Sequence, residues 1–252
     1  MTIPYKDLFS NQAEEYRLYR PSYPDALFSH ISALAPGREA AWDCATGNGQ
    51  SAVLLAKHFR HVCATDASAD QIAHAIRHPN VRYQVSSAHA TGLKEHSIDL
   101  VTVAQAIHWF DNEAFYHEVE RVLKPGGVIA AWSYRLPKIS PEVDRIIRTL
   151  FDDILADYWE NEIQLARQEY RTLLFPFEEL PSPEFSFTTI WSFPRLIGYL
   201  LTWSGVATCR RKTGIDPVDG ITHNLLDAWG ERSMEKEVRW EIFLRSGRIP
   251  FE

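Results

Sequence analysis

The sequence predicts an α/β protein built on a doubly wound, mixed sheet of seven strands. Three observations carry this expectation. Between residue 27 and about residue 134, five short apolar runs alternate with segments whose apolar residues fall at helical spacing, the rhythm of a parallel sheet with crossover helices. A glycine-bearing turn, 43–49, follows the first run, and a carboxylate, Asp66, ends the second. A run near the C-terminus alternates with period two, as an antiparallel strand with one polar-leaning face does.

The elements follow in chain order. The strands are "EAAWDCA" (39–45), "HVCATD" (61–66), "VRYQVSS" (81–87), "SIDLVTVAQA" (97–106) and "GVIAAWSY" (127–134). Helices are expected over 51–59, 68–77 and 112–123. In "KPGG" (124–127) Pro125 stops the last of these and the glycines turn the chain into the fifth strand. Beyond Tyr134 the pattern becomes helical. Ser140 and Pro141 suit N-cap and N1 of a helix over 140–159, whose apolar positions from Val143 to Tyr158 repeat at i, i+3 and i+4. Further helical stretches are expected at 161–174 and 194–204, with a proline-rich link at 175–185. The sixth and seventh strands are 185–193 and 237–245. The division expected is a core domain of 1–134 and 185–252, with 1–25 as an N-terminal cap and 135–184 as a helical insertion.

Bulk properties narrow the class. The 252 residues are 45% hydrophobic and 23% charged, ordinary for a globular chain able to bury a full core. A net charge of −7 without a Lys/Arg run argues against nucleic acid as a partner. No run approaches the roughly 18 apolar residues of a membrane span, and "MTIPYKDLFSNQAEEYRLYRPSYP" lacks a signal-type segment. Cys44, Cys63 and Cys209 have no metal-type spacing and suit free thiols in a reducing compartment, so a cytoplasmic location is expected. Oligomeric state leaves no trace in the sequence.

In a doubly wound sheet ligands bind beyond the carboxyl ends of the strands. Gly47 and Gly49 let the backbone approach a ligand closely. A dinucleotide fingerprint would place glycines at 45, 47 and 50, where this chain has Ala45, Gly47 and Gln50, and no Gly-Lys-Ser/Thr follows for a phosphate-cradling loop. Asp66 stands where a carboxylate accepts hydrogen bonds from ribose hydroxyls, with Ser68 free to cap the next helix. Loop and carboxylate together indicate an adenosine ligand. Asp43, an acid inside an apolar strand, would repel a phosphate and favour a cation or amine. S-adenosylmethionine meets that requirement, with S-adenosylhomocysteine as its product.

The series "AAWDCATGNG", "ATD", "SSAHATGL", "IDLVTVAQAIHWFD", "RVLKPGGVIAAW" resembles the class I S-adenosylmethionine-dependent methyltransferases, with their Rossmann-like fold. Within these it is similar to type 11 small-molecule enzymes such as trans-aconitate methyltransferase. The resemblance covers about 5–134, and more loosely "YLLTWSG" and "VRWEIFLRSGRI". It implies that Asp43, Ala45, Thr46, Gly47, Asn48 and Gly49 hold the methionine part, and Asp66 the ribose. Ala67, Ser87, Ala88 and His89 would hold the adenine, and Gln105 would face the sulfonium. Ala45 departs from the family's first glycine; a negative φ is expected there, at which alanine costs little.

On the acceptor side, "AIHWFD" follows the fourth strand, so His108 is the candidate base or orienter. Trp109 and Phe110 suit either a wall beside the sulfonium or core packing. In "EYRLYRPSYP", which resembles the family's cap, Arg20 could clamp a substrate carboxylate and Tyr16 cover the donor. Trp191, Trp203, Trp229 and Trp240 suit core or an apolar acceptor pocket, with Trp203 the pocket candidate. His74 and His78 are four apart but lack a third ligand, so no metal is expected. The function expected is methyl transfer to a small molecule at an oxygen, a carboxylate oxygen among them. The alternatives are a non-catalytic adenosine-ligand sensor and a nicotinamide-dependent oxidoreductase.

Overall fold

A computed structural model describes residues 18–251; Tyr16 lies outside the described residues. Strands β1 (Ala40–Cys44), β2 (His61–Asp66), β3 (Val81–Val85), β4 (Ile98–Ala104) and β5 (Leu123–Tyr134) are mutually parallel. The sheet runs β3-β2-β1-β4-β5-β8, where β8 (Glu235–Arg248) is antiparallel to β5. The far edge of β8 carries β7 (Phe185–Ser192) and the two-residue β6 (Glu178–Glu179), the latter not expected from sequence. Chain order reverses direction between β1 and β4. The crevice at the carboxyl ends of these two strands is therefore the topological switch point, where ligands of such sheets bind.

Crossover helices cover the sheet: α1 (Asp25–Leu34) leads into β1, α2 (Gln50–Leu55) follows it, α3 (Ala69–Ala73) follows β2 and α4 (Asn112–Val122) follows β4. Ser68 and Asp111 cap α3 and α4 by accepting from Gln71 and Ala114 backbone N–H groups. After α4 the strand begins at once, because "KPGG" forms a bulge and not a loop: the pairing jumps from Ile98↔Leu123 to Leu100↔Val128, with Gly126 at φ 73.

The helical region departs from expectation in its breaks. The helix from Pro141 keeps its Ser140 cap but ends as α5 at Thr149, giving way to a π-turn (Leu150–Ile154) and a 3-10 turn (Ala156–Tyr158). The Phe151 carbonyl accepts instead from Trp159 Nε1 (2.8 Å) and Arg167 (3.1 Å), and the Leu155 N–H reaches back five residues to the Leu150 carbonyl (3.0 Å). The stretch 161–174 yields only α6 (Ile163–Arg167), because Glu169 and Tyr170 adopt φ 56 and 58. α7 (Phe193–Leu201) fulfils the next expectation, while α8 (Ser204–Thr213) and α9 (Asp219–Trp229) were not read from the sequence. These helices share one apolar cluster with α5, β7 and β8, centred on Trp191, Trp229 and Trp240. Among the described residues no helix is long and apolar enough to cross a membrane.

Candidate active site

The site is built on β1. Asp43 is 1% exposed, and its register partner on β4 is Thr102. The Thr102 hydroxyl donates to Asp43 Oδ1 (2.7 Å) and the Thr46 hydroxyl to Oδ2 (2.5 Å). Burial pushes the Asp43 carboxyl up to about 6, and the two hydroxyl bonds only partly offset this. Asp43 thus lies beneath the crevice, and the residues lining the cavity do not include it. Its reach is through Thr46, whose side chain it anchors.

The loop after β1 turns on three left-handed residues: Ala45 at φ 51, Gly47 at φ 55 and Gly49 at φ 86. The negative φ expected at Ala45 is wrong. Alanine there occupies a conformation costing an L-residue about 1–2 kcal/mol. The loop holds it through Thr46 N–H donating to the Thr65 carbonyl (2.9 Å) and Gly47 N–H donating to Asp66 Oδ2 (2.8 Å). Gly49 also proves not to face the crevice. A Cβ there would collide with the Tyr83 ring, whose hydroxyl donates to the Ile76 carbonyl (2.6 Å).

The remaining candidates converge on one cavity of about 320 Å³. The first loop contributes Ala45, Thr46, Gly47 and Asn48; the second strand end contributes Asp66 and Ala67. Ser87, Ala88 and His89 come from the third strand end, and Gln105 from the fourth. Asp66 ties two of these segments together, since its second oxygen accepts from Ser68 N–H (2.9 Å). Ser87 Oγ accepts from His89 N–H (3.2 Å) and fixes that turn. Two buried polar atoms here, Asn48 Nδ2 and His89 Nε2, have no hydrogen-bond partner among the described residues. Such atoms are costly unless a ligand satisfies them.

A second cavity of about 510 Å³ adjoins the first and shares Arg20, Gln105, Trp109 and Tyr134 with it. His108 lines this second cavity, on the 3-10 turn Ile107–Trp109 that follows β4. Its Nδ1 is 3.1 Å from the Tyr170 hydroxyl and its ring lies against Trp109. Burial pushes His108 down to about 4 against a weaker opposing pull from Glu162, so the imidazole is neutral at pH 7. Trp203 lines the same cavity beside Phe151 and Trp159, whereas Trp191, Trp229 and Trp240 are wholly buried in the helical core. Phe110 lines the first cavity while also packing on Phe115.

Arg20 sits at the seam, but its guanidinium is already engaged. It donates to Thr202 Oγ1 (3.0 Å), the Thr202 carbonyl (3.2 Å) and Tyr134 Oη (2.9 Å), and lies over the Tyr199 ring. Sequence reasoning missed Tyr134, Tyr170, Trp159 and Arg148. Tyr134 had a usable signal, as the last residue of β5 at the ligand-binding end. Tyr170 had none, lying in a stretch that read as helix. Among the described residues no group of three His, Cys, Asp or Glu is placed to hold a metal ion.

The reversed strand order, the antiparallel β8 and a crevice closed by Asp66 and a glycine-rich turn define a class I, Rossmann-like methyltransferase. Known proteins agree. A family model described as "Methyltransferase domain" matches residues 42–131. A candidate methyltransferase of Dictyostelium discoideum is 34% identical over 229 residues, covering 89% of this chain and 87% of that one. The structure of a candidate type II methyltransferase from Anaeromyxobacter dehalogenans superposes with a TM-score of 0.85 at 43% identity, covering 92% of this chain and 99% of that one. A candidate S-adenosylmethionine-dependent methyltransferase of Saccharomyces cerevisiae is 28% identical over 136 residues, about half of each chain (50% and 47%). The chain belongs to this methyltransferase family, and it is an enzyme that uses S-adenosylmethionine.

The cavity suits that donor. Asp66, Asp111 and Glu162 set acid side chains around it, complementary to a sulfonium and an amine, and the partnerless Asn48 and His89 atoms offer polar contacts at separate ends of the loop set.

Proposed function

We propose that the protein transfers a methyl group from S-adenosylmethionine to an oxygen of a small-molecule acceptor, with a carboxylate oxygen the best fit. The observation that carries this reading is the pair of cavities meeting at a wall of Arg20, Gln105, Trp109 and Tyr134. The larger, second cavity, with its aromatic lining, is the acceptor site, and Arg20, Trp109 and Trp203 are its contact residues. When bound, S-adenosylmethionine supplies an electrophilic methyl group on a sulfonium.

In the donor cavity, Ala45, Thr46, Gly47 and Asn48 receive the methionine part, with Asn48 Nδ2 offered to its carboxylate. Asp66 takes the ribose hydroxyls, while Ala67, Ser87, Ala88 and His89 surround the adenine. Gln105 faces the sulfonium side, oriented by its Nε2 donating to Tyr23 Oη (3.3 Å). Asp43 acts through Thr46. The division into a donor-binding part, 1–134 with 185–252, and an insertion, 135–184, that furnishes the acceptor site is part of the same reading.

Methyl transfer to a nucleophile asks mainly for alignment and exclusion of water. An alcohol or phenol would also ask for a base, and a His108 held near 4 is a weak one. A carboxylate is ionised at pH 7 and needs none. The reading is tested by incubating the protein with methyl-labelled donor and panels of carboxylic acids, phenols and amines, with products resolved as esters, ethers or N-methyl compounds. Methyl esters are expected. Label confined to nitrogen products would refute it, and calorimetric binding of NAD without binding of S-adenosylhomocysteine would overturn the donor assignment.

A further inference from the structure

Tyr170 is fully buried, and nothing in the donor cavity requires it. It follows Glu169 in a pair of successive non-glycine residues with positive φ (56 and 58), a costly arrangement that persists only where surroundings impose it. Here they do. Glu169 accepts from Arg135 (2.7 Å) and Arg171 (2.5 Å), and the Tyr170 carbonyl accepts from Arg245 (2.8 Å). The effect of this strained corner is to lay the Tyr170 ring beside the His108 imidazole, with centroids 5.9 Å apart and the hydroxyl 3.1 Å from Nδ1. The same corner packs the ring edge-to-face on Phe243 (centroids 5.2 Å), so the phenol is held in one place with its hydroxyl at the imidazole.

The direction of the hydrogen bond decides what His108 can do. Burial pushes the Tyr170 phenol well above its usual range, so it keeps its proton and must donate it. The Ser133 hydroxyl donates to Gln105 Oε1 (3.5 Å). Among the described residues His108 Nδ1 is the side-chain acceptor at hydrogen-bond distance from the Tyr170 hydroxyl, so the tyrosine proton goes to Nδ1. A neutral imidazole that accepts at Nδ1 carries its hydrogen on Nε2. That nitrogen has no protein partner among the described residues, and the ring lines the acceptor cavity.

We propose that Tyr170 is a positioning residue that fixes neutral His108 as the Nε2–H tautomer, making His108 a hydrogen-bond donor to the acceptor and selecting an already ionised oxygen. The inference rests on the assignment of the second cavity to the acceptor. Under the opposite tautomer His108 would present a lone pair, and the site would select a protonated hydroxyl.

The test needs no acceptor. Nitrogen-15 spectra of the histidine side chains are recorded on the full chain at neutral pH, with His108→Gln identifying the resonances of His108. Expected are an unprotonated Nδ1 and a protonated Nε2 in the wild type. In Tyr170→Phe, which removes the donated proton, both tautomers should be populated while affinity for S-adenosylhomocysteine is unchanged. A wild-type His108 protonated at Nδ1 overturns the proposal, as does a Tyr170→Phe protein whose His108 stays wholly Nε2–H. If Tyr170→Phe does not fold, the wild-type spectrum still decides, because an Nδ1–H imidazole cannot accept from Tyr170. Failure of the acceptor reading shows separately, as absence of methyl esters whatever the tautomer.

Discussion

Ala45→Gly is the substitution whose effect follows most directly from the backbone. Ala45 sits at φ 51. The left-handed region costs an L-residue about 1–2 kcal/mol and glycine nothing. Against that gain, glycine widens the unfolded ensemble, a cost of about 0.4–1 kcal/mol. The balance is a stabilisation of about 0.5–1 kcal/mol. For a chain of this size that corresponds to a rise of roughly 2–3 °C in the unfolding midpoint. Because the backbone already holds the glycine-like conformation, affinity for S-adenosylhomocysteine should stay within about twofold, well under 1 kcal/mol. Differential scanning calorimetry and isothermal titration read the two quantities. Ala45→Val supplies the contrast: a β-branched residue at positive φ is a genuine outlier and should lower the midpoint by several degrees. A glycine variant less stable than wild type, or a valine variant as stable, would show that strain at position 45 does not govern this loop.

Other expectations concern charge and packing. Two buried groups pull the pH dependence of stability in opposite directions. The Asp43 carboxyl, raised from 3.8 to about 6, makes the fold lose stability as pH rises across that span. His108, lowered from 6.5 to about 4, makes it lose stability as pH falls across its own. Each amounts to at most about 3 kcal/mol, so wild type should vary little between these limits, while Asp43→Asn should gain stability with rising pH and His108→Gln should lose it. Denaturant titrations at several pH values read this, and parallel slopes in all three proteins would refute it. Gly49→Ala should cost more than about 2 kcal/mol, since a positive φ and the Tyr83 ring both oppose a Cβ, and Tyr83→Ala in the same chain should recover part of the loss. Asp66→Ala should weaken S-adenosylhomocysteine binding by about 10–100-fold, the worth of charge-assisted hydrogen bonds, whereas Asn48→Ala should cost about fivefold. Equal titration enthalpies and affinities in either variant and in wild type would remove that residue from the donor site.

How much was legible divides along the chain. Strands 1 to 5 and their helices announced themselves because buried parallel strands read as apolar runs and their helices as spaced ones, so even the Ser68 cap was anticipated. Residues at strand ends, from Ala45 to Gln105, were placed in one cavity by the topology that the rhythm implied. Backbone angle is another matter. Nothing in the letter at position 45 announces a left-handed alanine, since the cost is met by contacts with Thr65 and Asp66 far along the chain. Asp43 was correctly singled out as buried and acidic, but its partner Thr102 is visible only once β1 and β4 are paired. In the helical region the period of 3.6 predicted a continuous helix, and a Trp159 side chain competing for the Phe151 carbonyl ended it. Tyr170 depends on a strained pair of residues held by the neighbouring Arg171 and by Arg135 and Arg245 from distant segments, a condition no local pattern encodes.

The shared wall of Arg20, Gln105, Trp109 and Tyr134 separates two inventories of chain. What borders the first cavity alone comes from the strand-end loops between residues 44 and 111, apart from Pro21, Tyr23 and Glu162; what borders the second alone comes, His108 apart, from residues beyond 132. On the proposed assignment of the two cavities, substitutions beyond the wall recruit a new small molecule without disturbing the methyl source, while a change in any of the four wall residues is felt on both sides. Retargeting by directed evolution should accordingly concentrate its successes in 135–167 and around 199–204, leaving the wall intact.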